Sequence, residues 1–250
     1  MKDIWILIIF IIAEFLAMVS SSYILLSGEG VEQSGDVSIA VYMLVAVVLF
    51  GAIAFILIKL GFLRFFDFLV SLSFLLILLL YLSIFFPLII SLLLTISLFI
   101  LFKRHRQARA VISIIVMVGS AVIVGMVIEP KIILIFALIL AIYDYISVFK
   151  TKHMVTIAEG VKNSALMVKH KESAIGGGDI IVPSAFVTSI IFKYSYLGVS
   201  DALLLSTIPA ILSSLSLLLL LLFGEKKRYY PAIPPLACGM LIGYLIINII

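Results

Sequence analysis

Nine apolar runs, each close to the length of a bilayer crossing, are laid end to end with short polar connections between them. A span needs about 20 predominantly apolar residues. The runs are 4–26, 38–60, 65–86, 87–102, 110–129, 131–150, 175–197, 202–223 and 231–250. They lack the strict alternation of a membrane β-barrel, so the sequence predicts an all-α membrane protein with nine transmembrane helices. Composition agrees: 65% of the 250 residues are hydrophobic and 12% are charged. The region 65–102 is too long for one helix, and Pro87 suits a turn or helix start between two crossings.

The basic residues set an orientation. With the N-terminus cytoplasmic, only Lys131 and Lys193 fall outside, which leaves 15 of the 17 lysines and arginines inside. The C-terminus is then extracytoplasmic. The net charge of +4 is spread between spans, as topology requires, and gives no reason to expect a nucleic-acid partner. Cys238 is the single cysteine and can form no intrachain disulfide. Residues 1–26 read as a retained first helix rather than a cleaved leader, because the apolar run is long enough to span. The chain is expected to be one polytopic domain, 1–250, in the cell membrane. Its longest polar stretch, 151–174, reads as a cytoplasmic amphipathic connection. Met154, Ile157, Ala158, Val161, Ala165 and Val168 follow helical spacing there.

Two acids interrupt this apolar background. Asp144 lies in the sixth run, six residues before Lys150, and Asp179 lies in the seventh, eight residues after Lys171. A carboxylate in hydrocarbon costs at least a few kcal/mol and marks a functional site by default. Consecutive helices run in opposite directions, so at 1.5 Å per residue both acids lie about 9–12 Å from the cytoplasmic end. Other intramembrane hydrolytic chemistries find no residues. His105, His153 and His170 all fall in connections, and His-Glu-x-x-His and Gly-x-Ser-x-Gly are absent. Neither a metal nor a cofactor is expected. Paired carboxylates remain: sharing one proton, they can activate a water and polarise a carbonyl.

Each context has a plainer explanation. Asp179 follows Gly176, Gly177 and Gly178, which disfavour helix, and it could simply cap the seventh helix. The same unwound backbone could instead line a cavity or pair with an extended peptide. Asp144 could be a structural acid bonded within the bundle. Pro231-Ala232-Ile233-Pro234-Pro235 follows a basic cluster, and a proline at a helix start is ordinary; three prolines in five positions exceed that need. Glu14 reads as a hydrogen-bonded structural acid, and Asp36, Asp67 and Asp201 as caps at span ends.

Tyr143-Asp144, Gly176-Gly177-Gly178-Asp179 and Pro231-Ala232-Ile233 resemble the Tyr-Asp, Gly-x-Gly-Asp and Pro-Ala-Leu motifs of the presenilin and signal peptide peptidase family. Their order and helix placement match as well. The resemblance implies an intramembrane aspartyl endopeptidase with Asp144 and Asp179 as the catalytic pair. Tyr143, Gly176, Gly177 and Gly178 would then shape the site, and Pro231, Ala232 and Ile233 would contact substrate or support the site. Transmembrane peptides or proteins would be the substrates and membrane lipid the surroundings. Ile233 replaces the usual leucine, a volume-conserving change. The short connection after Asp144 makes autocleavage unexpected; the compact chain is similar to prokaryotic, mainly archaeal members, and nothing implies accessory subunits. Two alternatives stay open. Prepilin and preflagellin peptidases carry the same Gly-x-Gly-Asp motif, but typically with a lysine soon after it, where this chain has Ile180-Ile181-Val182-Pro183. A proton- or cation-coupled transporter would also bury acids in broken helices.

Overall fold

The computed structural model describes residues 4–28, 32–147, 167–170, 173–223 and 231–249. Among these, nine α-helices follow one another: α1 (Ile4–Leu26), α2 (Ser38–Lys59), α3 (Leu63–Ser83), α4 (Leu88–Arg104), α5 (Arg106–Val127), α6 (Pro130–Ile146), α7 (Gly177–Lys193), α8 (Val199–Phe223) and α9 (Ile233–Ile247). A short 3-10 turn, Ser195–Leu197, joins α7 to α8. Five helices, α1, α2, α3, α5 and α8, are long and apolar enough to cross a membrane. The other four are 15 to 17 residues long, about 22–26 Å at 1.5 Å per residue. Pro87 precedes α4 as its N-cap, and Pro130 occupies the first turn of α6, where a missing N–H costs nothing.

The expected amphipathic connection needs correction. Residues 148–166 and 171–172 lie outside the described residues, so most of that helix is not addressed. Its C-terminal end is not helical. Met167–His170 (β1) and Ser173–Gly176 (β2) form an antiparallel hairpin with Val168 opposite Ile175. Ile175 is buried in an apolar cluster with residues of α1, and a strand delivers it there while its backbone bonds stay paired. The seventh helix accordingly begins at Gly177. Two expected caps also fail. Asp67 lies inside α3, and Asp201 sits in the first turn of α8. Asp36 does cap, its Oδ1 accepting the Ser38 N–H at 2.9 Å.

Helix α7 is the axis of the molecule. It packs against α1, α5, α6, α8 and α9, and from Val182 to Phe192 every residue is buried. Small residues let its neighbours approach. At Gly125 of α5 an added Cβ would collide with the Ala185 carbonyl and the Thr188 side chain of α7. At Gly239 of α9 it would lie 2.6 Å from the Leu212 carbonyl oxygen of α8, and at Gly243 2.6 Å from Pro209 Cα. Such small-xxx-small seams matter in a membrane because lipid is as apolar as the helices, and close packing must drive association. Buried hydroxyls and amides add polar ties: Ser21 to Thr188 at 3.2 Å, Ser20 to Tyr81 at 2.6 Å, and Gln33 Nε2 to the carbonyls of Gly125 and Ser189 at 2.8 and 3.1 Å. By contrast, α2 packs mainly along α6 and α3 among the described residues and leaves a broad apolar face exposed.

Candidate active site

Helices α6, α7 and α9 share one buried cluster, in which Phe136 and Leu140 meet Val182, Phe186 and Ile233. This packing sets the last turns of α6 beside the first turns of α7 and α9. Asp144 and Asp179 are partly buried on those turns, near enough for the charge of Asp144 to act directly on Asp179. Tyr143 packs against the same cluster, and its hydroxyl reaches α2 at the level of Gly51.

Each carboxylate accepts a backbone N–H. Asp179 is the third residue of α7, and its Oδ2 accepts the Gly176 N–H at 3.2 Å. The plain capping explanation is therefore correct as geometry: the acid closes the strand-to-helix junction. A Cβ at Gly176 would sit 3.0 Å from Oδ2, so this glycine leaves the carboxylate its space. Gly177 and Gly178 lie in the first helical turn rather than in an unwound loop, and Gly178 faces open space. Pro183, four residues after Asp179, removes the N–H that would otherwise bond the Asp179 carbonyl.

The backbone N–H of Ile233 hydrogen-bonds Asp144. The proline cluster explains why this donor is available. A helix start leaves its first N–H groups without intrahelical partners. In α9, Ile233 is the first residue, and Pro234 and Pro235 have no N–H; Leu236 already donates to the Ala232 carbonyl at 3.3 Å. One free donor remains in the turn, and it points to Asp144. The three prolines mark this segment in the sequence, but no side chain there signals the amide. Pro231 and Ile233 are buried and Ala232 is half-buried. All nine residues singled out from sequence therefore fall on three adjoining helix ends. Among the described residues, no three His, Cys, Asp or Glu side chains are grouped as metal ligands would be.

Comparison with known proteins identifies the family. The family model described as signal-peptide peptidase, presenilin aspartyl protease matches residues 7–172. The chain belongs to that family. The matched region includes Tyr143 and Asp144 and ends before Gly176–Asp179 and Pro231–Ile233. The fold extends the likeness over the whole chain. A presenilin family intramembrane aspartate protease solved in space group C222 matches with a TM-score of 0.74 and 21% identity, covering 100% of this chain and 99% of that one. One solved in space group P2 matches with a TM-score of 0.65 and 24% identity, covering 97% and 94%. No curated protein sequence matches the chain. This protease is thus an intramembrane aspartyl hydrolase, and its apolar helices accord with a membrane location.

Proposed function

We propose that Asp144 and Asp179 together hydrolyse peptide bonds within transmembrane segments of other membrane proteins. The observation that carries this reading is the convergence of two acids, on neighbouring helices, each given one backbone N–H. Repulsion between carboxylates at this range favours one shared proton. The ionised member removes a proton from a water held between them, and the water oxygen bonds to the scissile carbonyl carbon. The protonated member gives its proton to the carbonyl oxygen. Collapse of the resulting gem-diol returns a proton to the acid that had released it, breaks the C–N bond, and passes the other proton to the leaving nitrogen. The amides of Ile233 and Gly176 fix where each carboxylate points, which keeps the water in line with the carbonyl.

The remaining residues support this chemistry. Tyr143, beside Asp144, walls the site toward α2. Gly176, Gly177 and Gly178 keep side chains away from Asp179 and leave room for a peptide backbone. Strand β2 runs directly into α7, and an extended substrate would add to its edge by main-chain hydrogen bonds. Pro231, Ala232 and Ile233 present the Asp144-binding amide. The proposed topology has nine crossings, the N-terminus in the cytoplasm of a cell whose plasma membrane holds the protein, and the C-terminus outside. The single chain contains every group this mechanism uses, and nothing in the mechanism calls for an accessory subunit.

The test is direct. Purified protein is incubated with a synthetic apolar peptide of about 25 residues, long enough to span a bilayer, and products are read by mass spectrometry. Internal cleavage that disappears in Asp179→Ala is the expected result. The same preparation in liposomes tests the transporter alternative: acid-dependent ion flux without peptide cleavage would refute the proposal.

A further inference from the structure

Glu14 is the one acid buried within α1, and the proteolytic step described above does not use it. It is 3% exposed. Its Oε2 accepts a hydrogen bond from Ser214 Oγ of α8 at 3.1 Å, and its Oε1 has no hydrogen-bond partner among the described residues. An under-satisfied carboxyl in a hydrocarbon setting is expensive to keep. Leucine at this position would fill a similar volume without that cost, so the acid asks for a reason.

Its neighbourhood supplies one. Phe10, Ala13, Glu14 and Ala17 lie at i, i+3, i+4 and i+7 and form the buried face of α1. Phe10, Ala13 and Ala17 belong to one apolar cluster with Ile175 of β2, Ile180 of α7, Leu217 of α8 and Leu236 of α9. Ile180 is the residue after Asp179, and Leu236 is one turn beyond Ile233. Helix α1 therefore packs directly on α7, which carries Asp179, and on α8, against which α9 is pressed. The Ser21–Thr188 bond ties the far end of this face to α7; beside Glu14 itself, Ala13 and Ala17 add little shape with which to fix rotation or height. A hydrogen bond can do so, since it has a length and a direction.

Ser214 is well placed to pass that constraint on. It is two residues from Leu212 and from Ser216, which turn the opposite face of α8 toward α9 and against which Gly239 is pressed, so the rigid helix carries the constraint from one face to the other. The link thus runs from Glu14 to Ser214, along α8 to its seam with α9, and up α9 to the Ile233 amide on Asp144.

We propose that Glu14 is a positioning residue for proteolysis: its hydrogen bond with Ser214 fixes how α1 seats against α7, which carries Asp179, and against α8, on which α9 and its Asp144-binding Ile233 amide rest. The inference rests on the reading of Asp144 and Asp179 as the hydrolytic pair.

The full chain is assayed with the synthetic transmembrane peptide as Glu14→Gln, Glu14→Leu, Ser214→Ala and Asp144→Asn. Glutamine keeps the shape and the bond to Ser214, and this variant should cleave within about twofold of the parent. Leucine should lower kcat by about tenfold or more, since small misplacements cost rates of this order, with KM little changed. Its Tm should hold or rise, because a poorly satisfied buried polar group has been replaced by an apolar one. Loss of rate without loss of stability, together with a normal Glu14→Gln, is the signature of positioning. A parental rate in Glu14→Leu overturns the proposal. So does a rate loss accompanied by a matching fall in Tm, or an equal loss in Glu14→Gln. If Glu14→Leu does not purify folded, Ser214→Ala decides: it leaves Glu14 without a partner and should lower Tm, so kcat is read well below that Tm, where a lower kcat supports the proposal and a parental kcat overturns it. Cleavage by Asp144→Asn would instead sink the catalytic pair, whatever the Glu14 variants do.

Discussion

Gly239→Ala should separate packing of the α8–α9 seam from the chemistry it supports. The added Cβ would lie 2.6 Å from the Leu212 carbonyl oxygen, 2.7 Å from Ser216 Oγ and 2.8 Å from the Leu212 carbonyl carbon. Ordinary contact begins at 3.4 Å. The Ser216 hydroxyl can rotate away, at the loss of its 2.8 Å bond to Leu212 O. The Leu212 backbone cannot, so α9 must retreat by about 0.8 Å, the difference between 2.6 and 3.4 Å. Overpacking of this kind costs about 1–3 kcal/mol, or roughly 2–12 °C in Tm for a chain of this size. The rate should suffer more than the stability. The Ile233 amide is six residues away on the same rigid helix, and a displacement approaching 1 Å at a catalytic group can cost about 100-fold. Peptide cleavage should therefore fall by roughly 10- to 100-fold. Ile242→Ala is the control; this side chain is 50% exposed on the outer face of α9 and should leave the rate within about twofold of the parent. A Gly239→Ala protein with unchanged Tm and rate would refute the close approach of the two helices and the route by which α9 positions Asp144.

Other outcomes follow from the same account. Pro231→Ala restores a backbone N–H and lets the helix extend; it should impair cleavage more than it lowers Tm, whereas a normal rate and cleavage position would reduce the segment to a helix start. Cysteines placed at Ser34, Gln107 and Lys227, in a background lacking Cys238, test topology in intact cells. Only position 34 should react with an impermeant reagent, and labelling at 107 or 227 would overturn the orientation. In the connection between α5 and α6, partial burial works against ionisation of Glu129. Lys193 and Lys131, 3.5 and 3.3 Å away, outweigh it and hold the group below its ordinary 4.5. Its contribution is thus complete above pH 4.5 and lost as pH falls through the lower folded value. Glu129→Gln should remove a small part of the acid-side fall in Tm, kept small by solvent screening; an identical Tm–pH profile would contradict this.

The sequence disclosed more of the site than of its scaffolding, for physical reasons. Acids and prolines are conspicuous in hydrocarbon, because each violates the rule that apolar helices otherwise obey. Asp144, Asp179 and Pro231–Ile233 could be picked out on that ground, and they fall on adjoining helix ends. Helix limits were close where a proline or a charge punctuated the chain, as at Pro87 and Pro130. The hairpin was missed because Val168 fits a helical spacing, while the partner that decides its conformation, Ile175, is held by packing on α1. The Ile233 amide was missed for a different reason: side chains announce themselves in a sequence, and a free backbone N–H does not. The bond between Glu14 and Ser214 joins residues 200 positions apart. No local pattern carries such a pairing, nor the seam that makes Gly239 necessary.

The central claim is that two carboxylates act as one catalytic unit, and single isosteric changes test it most directly. Asp144→Asn and Asp179→Asn keep the shape of each side chain and its capacity to accept the Ile233 or Gly176 N–H. Neither amide can exchange the proton that the mechanism passes between the pair. Cleavage of the transmembrane peptide should be lost in each variant alone, with Tm and elution volume matching the parent. Substantial turnover by either well-folded variant would contradict the account.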